Sequence, residues 1–212
     1  MFTRLRNRVL NGTRILLFPD MILPDDFYAC PDVTYVAKQL LGKVLCTRID
    51  GILTSGIISE TEAYSGRNDK ACHANNGKRT PRTEVMFGPP GHAYVYLCYG
   101  IHHLFNVVTN RKGLADAVLV RSVVPVDGLD IIKERRMISG EKSLTDGPGK
   151  LSEALGVKTT MSGHKLAKDP LWIEDRGINT DQNTVQQTTR IGVDYAGEDA
   201  KKPWRYTARF DL

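Results

Sequence analysis

An Asp-Gly pair at Asp50-Gly51 lies between two strand-like runs, and it constrains the fold of this chain more than any other short feature. The runs cover residues 43–49 and 53–64. Aspartate followed by glycine tolerates the positive φ angles that a two-residue hairpin turn needs at both central positions. The sequence therefore predicts an antiparallel hairpin here.

Further elements follow along the chain without a regular alternation of strand and helix. Asp32 is the expected N-cap of the first helix, and Gly42 is expected to end it. The remaining predictions are helices at 33–41, 128–137 and 151–155, and strands at 92–99, 104–109, 117–126, 171–174 and 188–193. This order predicts a mixed antiparallel sheet with interspersed helices, a fold of the α+β class.

Charge and composition bound the class of partner. The chain has 212 residues, of which 41% are hydrophobic, and its net charge is +5. A basic protein favours an anionic partner such as nucleic acid. No stretch approaches the roughly 18 apolar residues of a membrane helix, so a membrane partner is not expected.

The N-terminal segment differs in composition from the rest of the chain. The first nineteen residues carry four arginines and no acid, which predicts a basic, flexible tail over 1–24 and a single domain over 25–212. A mitochondrial-type presequence is the alternative.

Cys30, Cys46, Cys72 and Cys98 form no CxxC pair, so we expect reduced thiols in a cytoplasmic protein. Because HxxxH and HExxH spacings are also absent from the sequence, no metal site is predicted.

Two carboxylates and a phenol end the second strand of the hairpin. Strand periodicity puts Glu60, Glu62 and Tyr64 on one face. These residues either form the polar face of an edge strand, or one carboxylate activates a water or stabilises a cation. Periodicity does not choose between Glu60 and Glu62.

Aromatic residues and a basic loop mark the middle of the chain. Tyr94 and Tyr96 share one strand face and are expected to pack in the sheet. Tyr99 stands at a turn before Gly100, where it is expected to project toward solvent or a partner. Exposed aromatics of this kind stack on bases or wedge between base pairs. The preceding loop, residues 66–91, is long and basic, and long loops in compact domains are commonly functional.

Two other functional motifs, the P-loop and the zinc deaminase signature, are incomplete in this sequence. The sequence GPGK at 147–150 lacks the first glycine of a P-loop and the Ser or Thr after its lysine, so a surface turn is predicted there, with Lys150 near a phosphate. The PCxxC element of a zinc nucleobase deaminase is absent from the sequence.

Several blocks in fixed order make the sequence similar to the alkyladenine (3-methyladenine) DNA glycosylase family of base-excision repair. The blocks are ISETEAYSG at 58–66, CHANNGKRTPR at 72–82, MFGPPGHAYVYLCYGIHHLFN at 86–106, LVRSVVPVDG at 119–128, DGPGKL at 146–151 and RIGVDYAGEDAKKPWRY at 190–206. The resemblance implies a single mixed α/β domain around a curved antiparallel sheet. It also implies a monomeric, cofactor-free hydrolase that removes alkylated or deaminated purines from double-stranded DNA.

The resemblance also implies roles for individual residues. Glu62 matches the base that activates water, and Arg121 matches the arginine that helps to hold that site. The pocket for the flipped base would be formed by Tyr64, His73, Tyr96 and Asn106. Tyr99 matches the aromatic that fills the space left by the extruded nucleotide. Phosphate contacts are expected from Arg67, Lys78, Arg79 and Arg82.

A binding module without catalytic activity is the competing hypothesis. It accounts for the positive charge and the tyrosines, with Glu60 and Glu62 in structural roles. It does not account for Glu62, Tyr64 and Tyr99 standing in the order of an enzyme family.

Overall fold

We describe the protein from a computed structural model, in which residues 8–10, 13–15, 21–181 and 184–210 are placed. The rest of the predicted tail, residues 1–7, 11–12 and 16–20, lies outside the described residues. Two described segments of the predicted tail, Arg8–Leu10 (β1) and Thr13–Ile15 (β2), pair as a separate antiparallel hairpin. The division into tail and domain at residue 24 stays a prediction.

The described chain contains twelve strands and four α-helices. After β1 and β2 the strands are β3 Met21–Ile22, β4 Val44–Ile49, β5 Ile52–Tyr64, β6 Ala93–Cys98, β7 His102–Thr109, β8 Asp116–Asp127, β9 Ala167–Lys168, β10 Leu171–Asp175, β11 Gln186–Thr188 and β12 Arg205–Thr207. The helices are α1 Asp25–Tyr28, α2 Val33–Gln39, α3 Leu129–Arg136 and α4 Pro148–Leu155.

One curled antiparallel sheet organises the domain, with the strand order β3-β10-β4-β5-β8-β7-β6. The Asp-Gly hairpin is confirmed, since β4 pairs with β5 and Asp50 and Gly51 have φ angles of 52° and 79°. All pairings in this sheet are antiparallel. The predicted α+β class is therefore confirmed.

Strand β5 is long enough to pair with two neighbouring strands along one of its edges. Its first half pairs with β4 and its second half pairs with β12, while β8 runs along the other side. Register shifts flank Glu60 in the pairing with β8, as expected for a bulge. The carboxylates at 60 and 62 thus lie on an interior strand, so the proposal of an edge strand is wrong.

The main core lies between the sheet and the helices. Asp32 caps α2 as predicted, because its carboxylate accepts hydrogen bonds from the backbone N–H groups of Thr34 and Tyr35. Leu40 follows α2, and its buried side chain belongs to the same apolar cluster as Leu151 and Leu155 of α4. The same cluster contains Leu45 of β4 and Ile58 of β5, so helices and sheet share one core.

The GPGK segment differs from its prediction. Residues 148–155 form α4, with Pro148 in the first turn, a position that tolerates proline because no intrahelical bond needs its nitrogen. Lys150, in the first turn, donates a hydrogen bond at 2.9 Å to Asp146, which precedes the helix. The predicted surface turn is therefore the start of a helix.

Candidate active site

A cavity of about 340 Å³ opens between the β6–β7 hairpin, the loop after β5 and the segment before β12. Strands β5, β8, β7 and β6 lie side by side beneath it. Its lining residues are Tyr64, Ala71, Cys72, His73, Arg82, Met86, Tyr94, Tyr96, Leu97, Cys98, Tyr99, Leu104, Asn106, Ala117, Leu119, Arg121, Ile191, Gly192, Val193 and Tyr195. The cavity thus gathers residues distant in the sequence, including most of those predicted for the site.

Glu62 is 0% exposed and is not itself a lining residue of this cavity. The Tyr64 hydroxyl donates to its Oε2 at 2.7 Å, and the Ile191 N–H donates to its Oε1 at 2.8 Å. The Arg121 Nη1 lies 3.4 Å from that Oε1. Together these contacts hold the carboxylate in one orientation. Tyr64, Ile191 and Arg121 all line the cavity, so two hydrogen bonds and one ion pair connect Glu62 to the cavity wall.

Glu60 has a different set of partners. Its Oε1 accepts hydrogen bonds from the Nε of Arg121 at 2.9 Å and from the Nε of Arg205 at 2.6 Å. Arg121 therefore bridges Glu60 and Glu62. Because one oxygen of Glu60 already serves two guanidinium groups, Glu60 acts in the structure as an anchor for Arg121.

An aromatic wall forms one side of the cavity. The rings of Tyr94 and Tyr96 stack with centroids 5.4 Å apart, and His73 contacts Tyr96 edge-on at 4.7 Å. The hydroxyl of Tyr94 is hydrogen-bonded to Nδ1 of His73 at 2.9 Å. The shared face predicted for Tyr94 and Tyr96 is confirmed. Tyr94 was assigned only to packing, although the same alternation that placed it beside Tyr96 could have placed it in this wall.

The His73 imidazole is neutral at physiological pH, because burial and the nearby Arg82 and Lys78 lower its pKa to about 4. Between about pH 6.5 and pH 4 the unfolded chain therefore binds more protons at this position than the folded protein does. Stability from this group is present above pH 6.5 and is lost as the pH falls through that window.

We expect the free energy of unfolding to depend less steeply on pH in this window for His73→Gln than for the wild type. Urea unfolding at several pH values measures this slope. The exposed His102→Gln supplies the control. Equal slopes for wild type and His73→Gln would show that His73 titrates alike in both states.

Asn106 is held rigidly in the cavity wall. Its Nδ2 donates to the carbonyl oxygens of Tyr94 at 3.1 Å and Leu104 at 3.2 Å. The side chain is buried. The cavity wall therefore presents an amide whose orientation two backbone carbonyls fix.

Tyr99 lies at the tip of the β6–β7 hairpin and is 91% exposed. Tyr99 and Gly100 both have positive φ angles, 51° and 75°, and the Ile101 N–H donates to the Cys98 carbonyl. Two successive positive φ angles characterise tight hairpin turns. The turn therefore projects the Tyr99 ring into solvent, as its position before glycine predicted.

The four basic residues predicted to contact phosphates have different environments. Arg67 forms a 2.6 Å ion pair with the buried Asp116. Arg79 pairs with Glu84 and covers the Phe87 ring, and Lys78 is exposed. Arg82 lines the cavity with its guanidinium 5.9 Å from the Tyr96 ring centre, so it lies closer to the pocket than its assignment to phosphates indicated.

A buried ion pair lies next to Tyr64, which lines the cavity, and no pattern in the sequence predicts it. Arg190 Nη1 lies 2.7 Å from Asp69 Oδ2, and both side chains are fully buried. Arg190 also covers the Tyr64 ring at 4.8 Å. The predicted strand 188–193 is wrong beyond residue 188. After β11 the chain leaves the sheet. Arg190 turns inward to Asp69, and the Ile191 N–H donates to the side-chain carboxylate of Glu62 instead of to the backbone carbonyl of a neighbouring strand.

The described residues contain neither a cluster suited to a metal ion nor a membrane-spanning helix. Across residues 21–181 and 184–210, no three His, Cys, Asp or Glu side chains come close enough to hold a metal ion. In the same described ranges no helix is long and apolar enough to cross a membrane.

Comparison with known proteins gives consistent matches. A family model described as methylpurine-DNA glycosylase (MPG) matches residues 26–211. A Chlamydia abortus protein is 45% identical over 187 residues, 87% of this chain and 97% of that protein. A Bacillus cereus protein is 47% identical over 196 residues, 88% of this chain and 95% of that protein. Both relatives carry the provisional name 3-methyladenine DNA glycosylase. The chain therefore belongs to the methylpurine-DNA glycosylase family.

Proposed function

We propose that this DNA glycosylase removes damaged purines from duplex DNA with a water molecule that Glu62 activates. Family membership makes the protein a hydrolase of N-glycosyl bonds with DNA as its partner. The observation that carries the proposal is the buried Glu62 carboxylate, which is held by Tyr64, Arg121 and the Ile191 N–H, three residues that line the aromatic cavity.

Chemistry on a base first requires access to its glycosidic bond. A base stacked in a duplex hides that bond, so the nucleotide must be extruded at a cost of a few kcal/mol. An aromatic wedge offsets this cost when it fills the gap. The exposed Tyr99 ring is the proposed wedge, and it belongs to the same hairpin as the cavity wall.

The cavity suits a flat and electron-poor base. Purines alkylated at N3 or N7 carry a positive charge, and aromatic faces attract cations within about 6 Å. Tyr64, His73 and Tyr96 are proposed to contact the flipped base, and the fixed amide of Asn106 to limit which purines fit. Because His73 is neutral, it adds no positive charge that would repel a cationic base.

Hydrolysis then depends on one carboxylate. As the charged purine leaves, positive charge develops on the sugar, and a nearby carboxylate both stabilises that charge and takes a proton from the attacking water. Glu62 is proposed for both tasks. Arg121 is proposed to position Glu62, with Glu60 holding Arg121 in turn.

The substrate range is tested by base release. Duplexes that carry 3-methyladenine, 7-methylguanine, ethenoadenine or hypoxanthine are incubated with the protein, and free base and abasic sites are measured. We expect release of one or more of these bases without added metal or other cofactor. Tight binding to an abasic-site analogue without any release would favour a binding module instead.

Replacing the wedge gives a further expected result. We expect Tyr99→Ser to weaken binding to damaged duplexes by about tenfold or more, because a stacked aromatic contributes on the order of 1–3 kcal/mol. Stability should change little, since the ring is 91% exposed. Fluorescence anisotropy with lesion-containing duplexes and a thermal melt measure the two effects. A large fall in melting temperature would place Tyr99 in the packing of the fold.

A further inference from the structure

We infer that Tyr195 is a second DNA-contacting aromatic, which packs against the deoxyribose next to the glycosidic bond of the extruded nucleotide. This inference rests on the proposed function, because it assigns a contact in the same site. Tyr195 is 69% exposed and lines the cavity.

The segment that carries Tyr195 is anchored from below. Val193 and Ala196 are buried in a small apolar cluster with Ala71, against which Tyr64 packs. The Tyr195 hydroxyl donates to the Ala71 carbonyl at 3.2 Å. The side chain is therefore held at its polar end, while the residue as a whole stays 69% exposed.

The position of Tyr195 relative to Tyr99 supports a role at the mouth of the cavity. Tyr99 belongs to the β6–β7 hairpin, whereas the segment with Tyr195 packs against the end of β5 through the bond from Ile191 to Glu62. Strands β8 and β7 separate β5 from β6 in the sheet. The two exposed aromatics thus approach the cavity from different sides. Ile191, 50% exposed, extends the apolar surface beside Tyr195.

The occupant follows from what must pass this mouth. With a purine in the cavity, the deoxyribose and its phosphates span the opening, because they join the base to the duplex. A deoxyribose presents C–H groups, which pack on an aromatic face and do not demand hydrogen bonds. The ring of Tyr195 can supply that face without its hydroxyl, which already has a backbone partner.

The test compares binding of two duplexes by three variants. One duplex contains a tetrahydrofuran abasic-site analogue, which keeps the sugar but lacks the base, and the other is undamaged. We expect Tyr195→Ala to lose about tenfold in affinity for the analogue, because the apolar contact between the ring and the sugar is lost, with much less change for the undamaged duplex. Tyr195→Phe should stay within about twofold of the wild type. Tyr35→Ala, at an exposed tyrosine of α2 outside the cavity lining, is the matched control.

Different outcomes separate the inference from the proposed function. Unchanged affinity of Tyr195→Ala for the analogue, or equal losses on both duplexes, would overturn the contact with the extruded nucleotide. Base release by the wild type is measured independently, so its failure would count against the proposed function alone. A circular dichroism melt matching the wild type confirms that Tyr195→Ala is folded.

Discussion

Glu62→Gln is expected to reduce base release by about a thousandfold or more, because general-base catalysis contributes about 10²–10⁴ to rate and the same carboxylate stabilises the developing charge on the sugar. The amide is nearly the same size and can still accept a hydrogen bond from the Ile191 N–H or the Tyr64 hydroxyl. Single-turnover release from alkylated DNA measures the loss.

Binding distinguishes a lost base from a damaged fold. Affinity of Glu62→Gln for a duplex with an abasic-site analogue should stay near that of the wild type, because Tyr99 and the cavity wall are intact. Glu134→Gln, at an exposed position of α3, controls for the change of charge. Undiminished release by Glu62→Gln would remove Glu62 from the mechanism.

Asp69→Asn is expected to lower the free energy of unfolding by about 3–5 kcal/mol, because it leaves the buried Arg190 guanidinium without its countercharge. The carboxylate also accepts hydrogen bonds from the Ser65 and Ala71 N–H groups. Urea unfolding of wild type and variant at neutral pH gives the difference.

An exposed aspartate provides the control for this prediction. Asp169 pairs with Arg48 at 3.0 Å, but both side chains are about half exposed. Surface pairs of this kind contribute about 0–1 kcal/mol, so Asp169→Asn should barely change stability. If Asp69→Asn and Asp169→Asn lowered the free energy of unfolding by similar amounts, burial would not make the Asp69–Arg190 pair more important for stability than an exposed pair.

Local signals in the sequence predicted much of the sheet. Asp50-Gly51 specifies its own turn, because positive φ angles depend on the two residues themselves. The stacked pair of Tyr94 and Tyr96 follows from the period of a strand, and Tyr99 is exposed because it stands at a hairpin turn. Strand β12 was not predicted, since Arg205–Thr207 is too short to show a period.

The sequence by itself determined the Asp50-Gly51 hairpin, the α+β class, the family resemblance and the set of candidate site residues. Only the tertiary structure gave Glu60 and Glu62 different partners. Their difference arises because Arg121 on β8 and Arg205 on β12 reach Glu60, while Ile191 reaches Glu62. Such contacts depend on strand register and on a segment that leaves the sheet. Local residue preferences carry no information about either, because each contact joins groups far apart in the chain.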